Sequence, residues 1–277
     1  MRKPVICSLA IAWGATALPQ AFSNSGPSTG GTGPYAPANY TTDPALLSHT
    51  LYLPKTPTTK LPILIWGEGG CQANGLQFLS FLTQIASHGI AVIASGPPGG
   101  TGTTTAALLT AAIDWATSAA AAAKHPSLDP SRIAVAGQSC GGVEAYAVAN
   151  DTRVSVVGIF NSGLMTPAES RRVVPGIKKP IFYFLGGSGD IAYENGERDF
   201  DLLPSGTPSW KGNLPVGHGG TYRDTDGGKF GVAAVRFLQW TLRGNLTAAS
   251  FFTGQEAVQA GWAVEARNLD AITVTAI

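Results

Sequence analysis

From residue 49 onward, short apolar runs alternate with helical patterns, the arrangement that builds a largely parallel sheet with crossover helices. Leu61–Trp66 (LPILIW) is apolar throughout, as a strand covered on both faces requires. Thr50–Leu53 reads as the first edge strand. Ile90–Ala94, Ile133–Ala136, Val154–Phe160 and Ile181–Leu185 read as further strands, with a short one at Leu214–Val216. Phe78, Leu82, Ile85 and Ala86 recur at helical spacing before Gly89, Thr105–Lys124 reads as one Ala-rich helix, and Val143–Ala149 as another. Phe230, Ala234, Phe237, Leu238 and Thr241 mark a closing helix, and Ser250–Ile277 gives a weaker signal. The expected fold is α/β: a mostly parallel central sheet with helices on both faces. Ligands of such sheets bind beyond the carboxyl ends of the strands, so chemistry belongs in the loops that follow them.

Composition narrows the function classes. Hydrophobic residues make up 44% and charged residues 13%, which excludes a disordered chain. A net charge of +1, with no Lys/Arg run, offers nothing to a phosphate backbone, and no nucleic-acid partner is expected. Gly contributes 35 of 277 residues, roughly double the usual ~7%, and points to tight turns and close backbone approaches.

The first residues read as an address. Arg2 and Lys3 precede an apolar stretch, Val5 to Leu18, with a cleavage site at Ala15-Thr16-Ala17 or shortly after. Residues 1–23 are therefore expected to be a secretory signal, 24–48 a Gly/Ser/Pro-rich segment, and 49–277 one catalytic domain. The signal is too short to cross a bilayer, and the longest later apolar stretch, Ala106 to Ala123, carries Asp114, so no membrane span is expected. Removal of Cys7 leaves Cys71 and Cys140, an even number suited to an oxidising compartment. Sequons at Asn39, Asn150 and Asn245 are compatible with glycosylation.

The strand Ile133–Ala136 runs into Gly137-Gln138-Ser139-Cys140-Gly141-Gly142, a G-x-S-x-G turn between a strand and a helix. Such a turn lifts the serine hydroxyl above the sheet, and its glycines leave room where a Cβ would clash. A serine nucleophile needs a base oriented by an acid, in the chain order Ser, Asp/Glu, His. Of His49, His88, His125 and His218, only His218 follows Ser139, within a Gly-rich loop. Asp190 follows the strand Ile181–Leu185 through a Gly-Gly-Ser-Gly turn and is the expected acid. Glu194 is the reserve; Glu194, Glu197, Asp199 and Asp201 read together as a solvated face. One oxyanion donor is expected from the N–H of Cys140, the other from Gly67-Glu68-Gly69-Gly70-Cys71.

With these residues in place the chain resembles the α/β-hydrolase superfamily, and within it the secreted dienelactone-hydrolase-like esterases and cutinase-type polyester hydrolases. The resemblance runs from about Leu61 to Arg243 and includes Ile85–Ile93, Asp129–Gly137, the Ser139 turn, Gly189-Asp190-Ile191-Ala192 and Gly217-His218-Gly219. It implies Ser139 as nucleophile, Asp190 as acid, His218 as base, and the N–H groups of Glu68 and Cys140 as the oxyanion hole. Cutinase-type enzymes usually carry an aromatic or other bulky residue and a Met where this chain has Glu68 and Cys140. A Glu side chain beside the acyl site is expected to disfavour anionic acyl groups.

The expected activity is a secreted serine carboxylester hydrolase acting through an acyl-enzyme. Three alternatives stay open: a polyester or cutin hydrolase, an amidase, lactonase or acyltransferase using the same triad, and a non-catalytic binding protein on the same scaffold. No cap domain fits between Asn161 and Ile181, so an open cleft is expected, lined by Leu164, Met165, Tyr193 and Tyr222. The few His and Cys lack ligand spacing, so neither a metal nor an organic cofactor is expected. Cys71 and Cys140 should meet across the oxyanion hole and pair as a disulfide, the alternative being two buried free thiols.

Overall fold

The apolar runs become the middle of the sheet. The computed structural model describes residues 28–277; the expected signal, 1–23, lies outside the described residues. The chain begins with β1 (Ala38–Thr41), β2 (His49–Pro54), β3 (Leu61–Gly67), the two-residue β4 (Gln72–Ala73), α1 (Leu79–Ser87), β5 (Ala91–Ser95) and β6 (Gly102–Thr103). It continues with α2 (Ala106–Ala116), α3 (Ala119–Lys124), β7 (Leu128–Gln138), α4 (Cys140–Val148), β8 (Val154–Phe160), α5 (Pro167–Val173) and β9 (Ile181–Leu185). It closes with α6 (Tyr193–Asp201), β10 (Ser209–Asn213), α7 (Gly228–Thr241), α8 (Leu246–Thr253), α9 (Glu256–Gln259) and β11 (Ala263–Arg267).

Nine strands form one sheet in the order β1-β2-β5-β3-β7-β8-β9-β10-β11, while β4 and β6 pair separately. The strands from β5 across to β10 are parallel; β1, β2 and β11 are added antiparallel at the edges. The architecture is α/β-hydrolase-like. One face carries an aromatic core in which Trp66, Phe81, Phe160, Phe184, Trp210 and Phe237 pack under α1, α7 and α8. On the other, Ile63, Ile65, Val135, Val157 and Tyr183 pack under α2 and α4. No helix among the described residues is long and apolar enough to cross a membrane.

Several expectations change. Thr50–Leu53 is not the outermost strand, because Ala38–Thr41 pairs outside it. The helix expected over Thr105–Lys124 is two: Thr117 Oγ1 bonds back to the carbonyls of Ile113 and Asp114, and the Ser118 side chain caps α3 through Ala121 N. The strand expected at Leu214–Val216 is Ser209–Asn213. Its Lys211 hides it from an apolar pattern, yet is buried with its amine 2.7 Å from Glu197 and 3.3 Å from Glu265. The weak C-terminal signal resolves into α8, α9 and β11.

Asp199 is not part of a solvated face. It is buried, and its carboxylate accepts from Ser170 Oγ (2.5 Å), Leu164 N (2.6 Å) and Tyr146 OH (3.0 Å). Burial outweighs these donors and holds its pKa above the ordinary value. Replacing it leaves buried donors unpaired, each costing about 1–3 kcal/mol. Asp199→Ala is therefore expected to lower unfolding free energy by at least ~3 kcal/mol in urea titration. A loss below ~1 kcal/mol contradicts this account of the α5–α6 packing.

Candidate active site

The site begins with glycines. A Cβ on Gly141 would sit 2.1 Å from the backbone of Gly67, and one on Gly137 would sit 2.3 Å from that of Gly141. The ends of β3 and β7 and the start of α4 therefore touch backbone to backbone. This contact forces the sharp turn at Ser139, whose φ is +52°, a region an L-residue seldom adopts. Ser139 N donates to the Phe160 carbonyl (3.0 Å), and Ser162 Oγ donates to the Ser139 carbonyl (2.6 Å), which ties the strained residue to β8.

The other two side chains arrive from neighbouring strand ends. After β9 the chain turns through Gly186 and Gly187 to Asp190; after β10 it reaches Gly217 and His218. A Cβ on Gly186 would lie 2.2 Å from the Gly217 carbonyl oxygen, so these loops also meet through bare backbone. His218 Nε2 lies 3.0 Å from Ser139 Oγ, and its Nδ1 lies 2.6 Å from Asp190 Oδ1. Because a carboxylate only accepts, Nδ1 carries the hydrogen, leaving Nε2 of the neutral ring free to accept from the serine. Glu194 is exposed on α6; Asp190 is the carboxyl that bonds His218.

Asp190 is buried yet built to stay ionised. Oδ1 also accepts from Ala192 N (2.9 Å), and Oδ2 from Asn161 Nδ2 (2.7 Å) and Gly186 N (3.1 Å). Burial pushes its pKa up, but the bonds from His218, Ala192 and Asn161 outweigh that and hold it below the ordinary carboxylate value. Asn161 was not singled out from the sequence. Its signal is a lone amide directly after the apolar strand β8, in a left-handed conformation (φ +44°) that Asn tolerates better than most residues.

No family model matches the chain, and no curated protein matches it.

Of the expected oxyanion donors, Cys140 directly follows the serine at the start of α4, and Glu68 lies in the loop after β3. Cys71 and Cys140 form a disulfide with Cα atoms 5.2 Å apart, stapling the loop after β3 to the start of α4. Its sequence separation of 69 corresponds, on the chain-entropy account, to about 4 kcal/mol of stabilisation.

The side chains around the serine differ from expectation in three places. Glu68 is not exposed beside the serine: it is fully buried, with its carboxyl close enough to Trp66 and Tyr52 of the aromatic core to interact with both. Burial raises its pKa well above the ordinary value, the nearby Glu144 carboxyl raises it further, and Trp66 only partly opposes them. Tyr222 does not line a cleft, since it is buried among Phe78, Phe81 and Phe230. Leu164 is buried in the core beneath α5 and α6, whereas Met165 is exposed and Tyr193 half-buried. A cavity of about 750 Å³ is walled by His88, Arg236 and Arg243 and by none of the triad residues. A narrow crevice bounded by Phe78, Gln138, Gly219 and Arg223 adjoins the His218 loop.

The buried Glu68 carries a pH signature. Its folded pKa lies above its unfolded one, so between the two the folded state holds the extra proton and stability falls as pH rises. The slope is about 1.4 kcal/mol per pH unit while Glu68 alone titrates. Glu68→Gln keeps the shape, removes the titration, and is expected to gain stability relative to wild type as pH rises above the ordinary Glu value, in urea unfolding. Parallel pH profiles for the two proteins contradict a raised pKa at Glu68.

Proposed function

We propose that this chain is a secreted serine hydrolase that cleaves carboxylic esters through an acyl-enzyme. The observation that carries the reading is the relay Ser139 Oγ, His218, Asp190, with contacts of 3.0 and 2.6 Å. In this reading Ser139 Oγ attacks the ester carbonyl carbon while His218 Nε2 takes the hydroxyl proton. Asp190 holds the ring and balances the imidazolium. The N–H groups of Glu68 and Cys140 receive the oxyanion, as donors already in position when the charge forms. The tetrahedral intermediate collapses, His218 protonates the leaving alkoxide, and the alcohol departs. Water then attacks the acyl-Ser139, His218 takes its proton, and the carboxylic acid leaves with Ser139 restored.

A second reading, a dienelactone-hydrolase-like or cutinase-type enzyme working on polyesters, is favoured by the rim of the site. Met165, Ile191 and Val216 are 68%, 82% and 40% exposed, on the loops after β8, β9 and β10. Exposed apolar side chains on the loops that carry Asp190 and His218 suit bulky apolar esters. Glu68, being fully buried, has no carboxylate at the surface to oppose them. The disulfide fits export to an oxidising compartment.

Turnover of p-nitrophenyl esters of graded acyl length tests the first reading, and release of soluble acid from a polyester film tests the second. Ser139→Ala and His218→Ala are each expected to cost several orders of magnitude in kcat, and the double variant to be little worse than either, because the residues act as a unit. Losses that multiply, or a His218→Ala enzyme with most of its activity, contradict the assignment. Turnover of amides or lactones in place of simple esters moves the same triad to another substrate class, and absence of any turnover favours a binding protein.

A further inference from the structure

The loop that carries His218 touches the Asp190 loop through backbone, where Gly217 N donates to the Gly186 carbonyl (2.8 Å), but few side chains of its own anchor it. It runs Val216-Gly217-His218-Gly219-Gly220, with Val216 and Gly219 exposed and a Cβ on Gly219 meeting nothing within 4 Å. Gly217 and Gly220 have φ of +74° and +53°, so the path depends on residues without side chains to anchor it. Yet the imidazole of this loop must meet two partners at once, and a misplacement of about 1 Å in such an arrangement can cost ~100-fold in rate.

Two buried side-chain amides meet the loop at consecutive carbonyls. Asn161, just beyond β8, donates through Nδ2 to the Gly217 carbonyl (3.1 Å). Gln138, the last residue of β7, donates through Nε2 to the His218 carbonyl (3.1 Å). Asn161 is fully buried and Gln138 nearly so. The orientation of the Asn161 amide follows from its neighbours: Nδ2 faces two acceptors, Asp190 Oδ2 and the Gly217 carbonyl, while Oδ1 accepts from Tyr222 OH (2.5 Å). Tyr222, set in the aromatic core, thus aims the amide. Gln138 reaches the loop because Gly69 leaves space for it; a Cβ there would lie 2.0 Å from Gln138 Oε1.

We propose that Gln138 and Asn161 form a two-point clamp on the His218 loop and are positioning residues for the base. Gln138 fixes the loop relative to the serine, since it is Ser139's chain neighbour. Asn161 fixes it relative to the acid, since the same amide nitrogen serves both Asp190 and Gly217. The two struts stand on adjacent parallel strands, β7 and β8, so the spacing of the sheet becomes the spacing of the triad. Only the kinetic arm of this inference rests on the hydrolase reading.

Gln138→Met keeps the length of the side chain and removes its donor; Asn161→Gly accepts the left-handed backbone and removes both donors. The test compares each with wild type by hydrogen exchange of peptides spanning residues 214–222 and by kcat and KM on a short p-nitrophenyl ester. Faster exchange in this segment, unchanged exchange in β7 and β8, and a kcat lowered roughly tenfold with KM within about twofold are expected of each variant. Unchanged exchange in the loop overturns the clamp, as does a kcat within about twofold of wild type when the wild type is active. If Asn161→Gly fails to fold, Gln138→Met decides alone. If the wild type hydrolyses no ester, the hydrolase reading fails while hydrogen exchange still decides the clamp.

Discussion

Backbone meets backbone where β3, β7 and α4 converge, with Gly67, Gly137 and Gly141 in contact that no Cβ would permit. Everything at the carboxyl edge of the sheet depends on that approach. It compresses the β7–α4 turn until Ser139 takes a positive φ, and it brings the loop after β3 alongside the residue that follows the serine. The Cys71–Cys140 bridge then ties the two walls covalently. A single methyl group at Gly141 would have to push β3 from β7 or α4 from both, so sheet register and site geometry stand or fall together.

Around this junction the protein treats its buried carboxyls in opposite ways. Asp190 is surrounded by donors and stays ionised beside His218. Glu68 is fully buried beside Trp66, and burial raises its pKa well above the ordinary carboxyl value. The contrast follows from the donors: several converge on Asp190, whereas the pull of Trp66 on Glu68 does not offset its burial.

The parts of the fold readable from sequence were those where burial leaves no choice of residue. β8 and β9 are largely apolar runs with the bounds expected of them, and β3 differs by one residue. β10 was misplaced because a buried lysine looks like a loop residue until Glu197 and Glu265 are brought to it from elsewhere in the chain. The break between α2 and α3 was invisible to periodicity, since alanines continue through it, although Ser118 is a helix-capping residue by type. At the site, His218 is the one histidine after Ser139 and Asp190 follows a glycine turn after β9; both could be picked out in sequence, and the structure brings them into contact. The amides of Gln138 and Asn161 and the inward turn of Tyr222 are tertiary contacts, set by which strands lie side by side, and sequence spacing alone does not carry them.

The central claim is that Ser139 is an activated nucleophile, and covalent capture tests it most directly. The protein is incubated with a fluorophosphonate at neutral pH, its intact mass is recorded, and the modified peptide is sequenced. The account predicts one phosphonyl group per chain, on Ser139, with labelling lost in His218→Ala and retained in Glu194→Ala. An unlabelled wild-type protein, or a label on any other residue, contradicts it.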